Sequence, residues 1–253
     1  MKDVYNSMSL DSVAAALCKV LGIDPPRSAA EANPILSNIG SAKKLVMYNP
    51  DAVGLEVFQK YTALFAPVLA KTTLALPLSC VMPSVTPVCF GTMYTGVQPE
   101  VHGIRRYERP VITVDSLYDA AIRAGLRCAI VSEPDCSLAD IFLGRDMDYY
   151  RVEGGLDAIN AKGLELIDKY DVLTLYNGNF DSTMHKNGPD APASVEALRR
   201  NVETFARVWE ACPEGTLVGF APDHGCHLID GECGSHGLDM PSDINIVHFY
   251  GIK

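Results

Sequence analysis

The sequence predicts an α/β protein built on an open, mostly parallel sheet. Apolar runs alternate with helical patterns along the 253 residues, as they do in βαβ units. Three of these runs, 44–49, 171–176 and 217–221, lead directly into turns that carry carboxylates or histidines. Because ligands of open α/β sheets bind at the carboxyl ends of the strands, the same pattern also indicates a functional site.

The elements of the first half follow from apolar periodicity and from the prolines and glycines that end each run. An amphipathic helix precedes an Asp-Pro-Pro-Arg breaker. A strand then runs into an acidic turn and a second helix, and another strand leads to a Thr-Pro turn and a third helix. In chain order, these elements are predicted at 9–23, 44–49, 55–64, 74–81 and 88–94.

The second half repeats this alternation and predicts one continuous domain. A long helix capped by Ser194 carries an apolar stripe on one face. We expect a single domain over 1–253, with a helical lead-in at 1–40, and we expect 100–160 to form either a small lobe or a continuation of the sheet. In chain order, the further elements are predicted at 111–124, 128–132, 146–152, 156–170, 171–176, 194 onward, 217–221 and 244–250.

Charge and composition exclude several classes of function. The net charge is -10, and no stripe of lysine and arginine suggests a groove for a nucleic-acid polymer. If an acidic protein handles phosphate esters, metal ions are the natural local source of positive charge. No apolar run is uninterrupted enough for a membrane span. The start of the chain lacks a signal-peptide pattern, and the eight cysteines have no framework spacing, so we expect a cytoplasmic protein with reduced thiols.

One hydroxyl, three carboxylates and three imidazoles follow the predicted strands, which is the inventory of a two-metal phosphoryl-transfer site. Asp181 and His185 are four residues apart and share a face if they lie on a helix. The adjacent Asp223 and His224 are expected to point apart, and in a tight turn they could serve two neighbouring ions or two sides of one ion. This donor set suits two zinc ions, with manganese as the harder alternative. Taken alone, an acid after a strand or a threonine before a proline is more often a helix cap. The candidate residues are Asp51, Thr86, Asp181, His185, Asp223, His224 and His236.

This ordered set resembles the alkaline phosphatase superfamily, and most closely its nucleotide pyrophosphatase/phosphodiesterase branch and phosphonoacetate hydrolase. The resemblance covers about residues 44 to 240 and includes the segment from Thr86 to Ile104 and the Asp223-His224-Gly225 motif. It implies a three-layer sandwich with helices on both faces of the sheet. It also implies that Thr86 is the nucleophile and forms a phospho-threonine intermediate. One zinc would be held by Asp181, His185 and His236, and the other by Asp51, Asp223 and His224 beside Thr86.

Two departures from the branch affect the expected substrate. Cys89 stands where the branch usually has an asparagine that contacts the phosphoryl group, so contacts from Asn179, Lys186 or backbone amides are predicted instead. Only eleven residues separate His224 from His236, so the large substrate-binding cap is predicted to be absent or reduced. The site would therefore be more open, or would be completed by a second subunit of a homo-oligomer.

These residues predict a two-metal phosphodiesterase or nucleotide pyrophosphatase that acts on a small phosphorylated substrate. A phosphomonoesterase, a phosphonate hydrolase and a phosphomutase share the same metal core and remain alternatives. A sulfatase is less favoured, because no Cys/Ser-x-Pro-x-Arg motif is present. A metal-binding scaffold domain is the alternative without catalysis, although such domains usually lose part of the ligand set.

Overall fold

A seven-stranded sheet forms the centre of the protein in the computed structural model, which describes residues 4–253. Its strand order is β2-β9-β6-β1-β5-β3-β4, and β9 runs antiparallel to both of its neighbours. The strands are β1 (Lys44–Pro50), β2 (Leu74–Ser79), β3 (Cys128–Ser132), β4 (Asp148–Arg151), β5 (Val172–Asn177), β6 (Thr216–Phe220), β7 (His227–Ile229), β8 (Cys233–Ser235) and β9 (Asn245–Ile252). The mostly parallel sheet predicted from the sequence is confirmed.

Helices cover both faces of the sheet, which gives the predicted three layers. One apolar core packs α1, α4, α6 and α7 against the sheet, and a second core packs α8, α9 and α10 against the other face. The helices are α1 (Val13–Leu21), α2 (Leu55–Lys60), α3 (Ala66–Leu69), α4 (Thr86–Thr95), α5 (Pro99–His102), α6 (Leu117–Arg123), α7 (Ser137–Ile141), α8 (Gly155–Leu166), α9 (Asn179–Asn187), α10 (Pro192–Ala211) and α11 (Pro241–Ile244).

Several predicted boundaries were wrong for local reasons. The helix predicted at 111–124 begins only at Leu117, because Ser116 caps it and forms a capping box with Asp119. The helix predicted at 55–64 divides, since Tyr61 leaves helical geometry and a short 3-10 turn follows. Ser194 does not cap the long helix, which begins at Pro192, and its hydroxyl instead donates to the carbonyl of Gly188.

The segment 100–160 contributes β3 and β4 to the central sheet, and both strands pair in parallel. The single-domain division stays a prediction, and residues 1–3 of the expected lead-in at 1–40 lie outside the described residues. Between Gly225 and His236 the chain forms only the β7–β8 hairpin, as the predicted loss of a large cap requires. No helix within residues 4–253 is long and apolar enough to cross a membrane.

Candidate metal centre

Three neighbouring parallel strands deliver the predicted ligands to one edge of the sheet. Asp51 directly follows β1, and Asp181 lies in the first turn of α9 after β5. Asp223 and His224 follow β6, which pairs with β1. This convergence places the carboxylates at the carboxyl edge, as expected for an open α/β sheet.

The ligand atoms form two groups of three. Asp51, Asp223 and His224 form a fully buried group. Asp181, His185 and His236 form a second group that is more open to solvent. In each group, one atom from each residue lies within 4.8 Å of the others. Asp223 and His224 therefore belong to one group, which agrees with the alternative that they serve two sides of one ion rather than two neighbouring ions.

The two groups are adjacent, and Thr86 borders the buried group. The rings of His224 and His236 stack with their centroids 4.0 Å apart. The hydroxyl oxygen of Thr86 lies 3.3 Å from Oδ2 of Asp51 and 3.4 Å from Nε2 of His224. Thr86 is the first residue of α4 and is 5% exposed, so its hydroxyl faces the ligands and remains barely accessible from solvent.

Each ligand histidine turns the same nitrogen toward the carboxylates. Nδ1 of His185, His224 and His236 lies 2.9 to 3.0 Å from a backbone carbonyl oxygen, which can only accept a hydrogen bond. Nδ1 therefore carries the hydrogen, and the lone pair of Nε2 faces the carboxylates. This is the tautomer in which a neutral imidazole binds a metal.

The spacing between these nitrogens and the carboxylate oxygens fits a shared ion. Nε2 of His224 lies 3.4 Å from Oδ1 of Asp51 and from Oδ2 of Asp223. Nε2 of His185 and of His236 lies 3.3 and 3.4 Å from Oδ1 of Asp181. Two ligand atoms held about 2.0 to 2.1 Å from zinc at a tetrahedral angle are separated by about 3.4 Å.

The same three carboxylate oxygens are buried and have no hydrogen-bond donor among the described residues 4–253: Oδ1 of Asp51, Oδ1 of Asp181 and Oδ2 of Asp223. A buried acceptor without a donor is costly, and lone pairs of nitrogen and oxygen that face each other repel. A cation between them removes both costs. The residues present therefore fit a divalent metal centre.

The electrostatics of the isolated residues lead to the same conclusion. Burial, and then Asp181, raises the pKa of Asp51 to about 7. Burial and Asp51 raise the pKa of Asp223 well above its usual range. Burial and His236 lower the pKa of His224 to about 3. Because these carboxyl groups resist ionising together, they are stable as carboxylates only beside compensating positive charge.

The predicted substrate contacts are arranged differently from the metal ligands. Cys89 is fully buried in the core, and its sulfur lies 3.8 Å from the carbonyl oxygen of Val81. The amide oxygen of Asn179 accepts from Asn201 at 2.8 Å, which ties this side chain to α10. Lys186 is exposed one residue beyond His185. None of these three roles gains support from a contact with Thr86.

Free backbone amides at the start of α4 were also expected near Thr86. The N–H groups of Val88 and Cys89 instead both donate to the carbonyl of Val85, and Pro87 has no N–H. The first turn therefore offers few donors to an anion.

Sequence reasoning missed several residues that support the site. The hydroxyl of Tyr176 donates to Oδ2 of Asp51. Ser84 binds the His236 segment twice, through its carbonyl to Nδ1 of His236 at 2.9 Å and through its hydroxyl to the N–H of Gly237 at 3.1 Å. Asp243 accepts from His227 at 2.8 Å and from the N–H of Leu238 at 2.9 Å, which fixes the hairpin. Nothing in the sequence distinguishes Tyr176, at the end of an apolar strand, as a hydrogen-bond donor to a candidate metal ligand.

The remaining histidines do not enter the two groups. His102 ends the short helix α5, and its Nε2 lies 3.0 Å from the hydroxyl oxygen of Thr92. His227 contacts Asp243 and belongs to the hairpin anchor described above. His248 is buried in β9, where its Nε2 lies 2.7 Å from the carbonyl oxygen of Pro222. The burial and contacts of His102 and His248 agree with structural roles.

Known proteins resemble this chain weakly in sequence and more extensively in fold. No family model matches the chain. A curated relative, GPI ethanolamine phosphate transferase 2 of Yarrowia lipolytica, is 27% identical over 90 residues, which are 36% of this chain and 10% of that protein.

Solved structures extend the similarity over most of the fold. Murine ectonucleotide pyrophosphatase/phosphodiesterase 5 aligns with a TM-score of 0.57 and 19% identity, over 73% of this chain and 57% of that one. Phosphonoacetate hydrolase from Sinorhizobium meliloti 1021 aligns with a TM-score of 0.54 and 17% identity, over 75% of this chain and 59% of that one. The chain thus spans little more than half of either protein. The chain therefore shares the fold of these two proteins, and the predicted resemblance to the nucleotide pyrophosphatase/phosphodiesterase branch is confirmed at the level of the fold.

Proposed function

We propose that this protein is a two-metal hydrolase of phosphate esters that cleaves diesters through a phospho-threonine intermediate. The observation that carries the proposal is a set of three buried carboxylate oxygens. They lack donors within the part of the chain that the structure describes, and they lie 3.3 to 3.4 Å from histidine Nε2 atoms. Thr86 supplies the only hydroxyl predicted as a nucleophile, and it borders this set.

Two divalent ions would be held by Asp51, Asp223 and His224 and by Asp181, His185 and His236. Three imidazoles and three carboxylates favour zinc, with manganese as the alternative. When bound, such ions polarise the phosphoryl oxygens and make hydroxyl and water oxygens more nucleophilic. Their four positive charges would balance the three carboxylates together with an ionised Thr86 hydroxyl.

The residues of the chain support a two-step displacement. The hydroxyl of Thr86 points its hydrogen toward Oδ2 of Asp51, which leaves the lone pairs of Oγ1 free to attack phosphorus. As the Oγ1–P bond forms, Thr86 releases its hydroxyl proton to solvent, the bond from phosphorus to the leaving oxygen breaks, and the leaving group takes that electron pair and a proton from solvent. A water molecule then attacks phosphorus and releases a proton to solvent. The Oγ1–P bond breaks, Oγ1 takes its electron pair and a proton, and Thr86 is restored while a diester yields a monoester.

The names of the similar structures support phosphorus chemistry, since one is a phosphodiesterase and another is a phosphonate hydrolase. A small substrate is favoured over a nucleic-acid polymer because the chain carries a net charge of -10. All eight cysteines are free, which fits the proposal of a cytoplasmic, reducing location.

The test compares hydrolysis of bis(p-nitrophenyl) phosphate with that of p-nitrophenyl phosphate by zinc-loaded protein. The controls are Thr86→Ala, which removes the nucleophile, and Thr86→Ser, which restores a hydroxyl. We expect faster cleavage of the diester, loss of at least about a thousandfold in Thr86→Ala, and partial recovery in Thr86→Ser.

Faster, Thr86-dependent cleavage of the monoester would replace the diesterase assignment with a phosphomonoesterase. If Thr86→Ala cleaves both esters at the wild-type rate, the nucleophile assignment is wrong. Metal content provides an independent readout: a scaffold domain need not bind two ions per chain, whereas we expect two in both wild type and Thr86→Ala.

A further inference from the structure

One buried asparagine joins three elements that surround the candidate metal centre. Asn49 is fully buried near the end of β1, two residues before Asp51. Its amide oxygen accepts from the hydroxyl of Tyr94 on α4 at 2.6 Å, and its amide nitrogen donates to the carbonyl oxygen of Ala221 after β6 at 2.6 Å. This one side chain therefore connects β1 to helix α4 and to the turn that follows β6.

The partners of the amide fix its orientation. The carbonyl oxygen of Ala221 can only accept a hydrogen bond, so the amide nitrogen of Asn49 must face it. The amide oxygen then faces the hydroxyl of Tyr94, which donates to it. The sulfur of Met93 lies 3.9 Å from the same nitrogen. Both ends of the amide are thus engaged, and turning the side chain over would break both short hydrogen bonds.

Each partner lies close along the chain to a group of the site. Ala221 precedes Asp223 by two residues. Tyr94 and Thr86 belong to the same helix, α4, and are separated by about two turns. Because a short helix moves as a rigid unit, a shift of α4 at Tyr94 also moves the hydroxyl at its first residue.

The backbone pairing of β6 with β1 stops just before the ligands. The N–H of Ala221 donates to the carbonyl oxygen of Tyr48 at 2.9 Å, and the next residue, Pro222, has no N–H. Side chains hold the chain from this point. Asn49 binds the carbonyl of Ala221, and Nε2 of His248 donates to the carbonyl of Pro222 at 2.7 Å. The turn that carries the ligands is therefore positioned by side-chain donors on the neighbouring strands.

Stability alone does not account for an amide at this place. Replacing both members of a buried hydrogen bond with apolar groups of the same shape can leave stability nearly unchanged. Apolar contacts allow neighbouring elements to slide, whereas two hydrogen bonds of 2.6 Å fix two distances at once. The two distances fixed by Asn49 are those from β1 to the helix of the predicted nucleophile and from β1 to the turn of the ligands.

We infer that Asn49 is a positioning residue for the proposed hydrolysis. Its bond to Tyr94 sets the position of Thr86, and its bond to Ala221 sets that of the ligands after β6. The inference rests on the proposed function for its effect on turnover, whereas its effect on metal binding does not depend on hydrolysis.

Two substitutions separate the two contacts. Tyr94→Phe removes the hydrogen bond to α4 alone, and Asn49→Leu removes both hydrogen bonds while keeping a side chain of similar size. Zinc affinity is measured by competition with a chromophoric chelator, and kcat and KM by hydrolysis of bis(p-nitrophenyl) phosphate. We expect Tyr94→Phe to lower kcat about tenfold or more at unchanged KM and zinc affinity, because displacing a reacting group slows its attack. We expect Asn49→Leu to lower kcat as well and to weaken the binding of one zinc ion about 10- to 100-fold.

Tyr48→Phe is the matched control, because it removes the same kind of hydrogen bond on the other face of the sheet. Tyr48 is fully buried, and its hydroxyl donates to the amide oxygen of the buried Asn201 at 2.8 Å. Asn201 lies on α10, outside the elements that carry the candidate ligands. We expect kcat, KM and zinc affinity in Tyr48→Phe to equal those of wild type.

The two contacts can be refuted separately. Equal kcat in Tyr94→Phe and Tyr48→Phe would overturn the role of the bond to α4, and wild-type zinc affinity in Asn49→Leu would overturn the role of the bond to Ala221. If circular dichroism shows that Asn49→Leu does not fold, the two tyrosine variants decide, since each loses a single hydroxyl. If wild type cleaves neither ester, the proposed function fails, whereas weaker zinc binding in Asn49→Leu but not in Tyr48→Phe would still support the positioning of the ligands.

Discussion

Tyr176→Phe tests whether the buried carboxylate group holds a metal. Tyr176 is 6% exposed, and its hydroxyl donates to Oδ2 of Asp51. The other donor to this oxygen is the hydroxyl of Thr86 at 3.3 Å. The substitution removes one oxygen atom, leaves the ring in place and changes no predicted ligand. Any effect on metal binding must therefore pass through the carboxylate of Asp51.

The magnitude follows from the charge of the acceptor. A hydrogen bond to an ionised group contributes about 1.5 to 3 kcal/mol, and each 1.4 kcal/mol corresponds to about a tenfold change in affinity. Burial already raises the pKa of Asp51 to about 7, so losing a donor makes its ionised form still less stable. We expect zinc affinity at one of the two sites to fall about 10- to 100-fold, as for other hydrogen-bond partners of metal ligands.

The assay is competition between the protein and a chromophoric zinc chelator, fitted with two sites. Tyr118→Phe is the matched control, because Tyr118 is fully buried and its hydroxyl lies 3.0 Å from the hydroxyl of Thr174. Both variants should lose about 1 kcal/mol of unfolding free energy in the metal-free protein. Only Tyr176→Phe should lose zinc affinity. Equal affinity in the two variants would refute the assignment of Asp51 as a ligand.

Three further predictions concern the frame of the site. Gly225→Ala should lower the unfolding free energy measured in urea by about 3 kcal/mol, because the added Cβ would lie 1.9 Å from the carbonyl oxygen of Ser242. A loss below about 1 kcal/mol would contradict this contact. Asp243→Asn should cost about 1 to 3 kcal/mol of unfolding free energy in the same assay and weaken zinc binding, because His227 and Leu238 bind different oxygens of Asp243 and an amide replaces one of these oxygens with a donor. Unchanged unfolding and zinc binding would exclude the anchoring role. Burial lowers the pKa of His248 from 6.5 to about 4, so between these pH values the unfolded chain binds a proton that the folded protein excludes. The contribution of neutral His248 to the unfolding free energy is therefore complete above pH 6.5 and declines by about 3 kcal/mol toward pH 4. His248→Gln should flatten this part of the plot of unfolding free energy against pH, and an identical slope would argue against this role.

Most of the candidate ligands were predictable because they follow an apolar strand or lie at helical spacing, whereas His236 entered only through its place after the Asp223-His224 motif. Asp51 comes after the run at 44–49, and Asp181 and His185 are four residues apart. Such patterns are local, and the rule that parallel strands end at a common edge converts them into proximity. The same rule cannot orient adjacent side chains, since the dihedral angles of a turn decide where Asp223 and His224 point.

The supporting residues were not predictable because their roles depend on contacts between distant parts of the chain. Ser84 and His236 are separated by 152 positions, and Tyr176 and Asp51 by 125. Neither residue type nor spacing distinguishes Tyr176 from an ordinary core tyrosine. The predicted substrate contact of Asn179 was uncertain for the same reason, since Asn201 on α10 binds that side chain.

The turn after β5 shows how a residue without a ligand atom can affect the candidate metal site. The hydroxyl of Tyr176 donates to Asp51, and Gly178 leaves room for the carboxylate of Glu133 beside that tyrosine. A Cβ at position 178 would lie 2.7 Å from Oε1 of Glu133 and 2.9 Å from the hydroxyl of Tyr176. Because any side chain there would meet the donor that binds Asp51, a substitution of Gly178 should reach the candidate site through Tyr176.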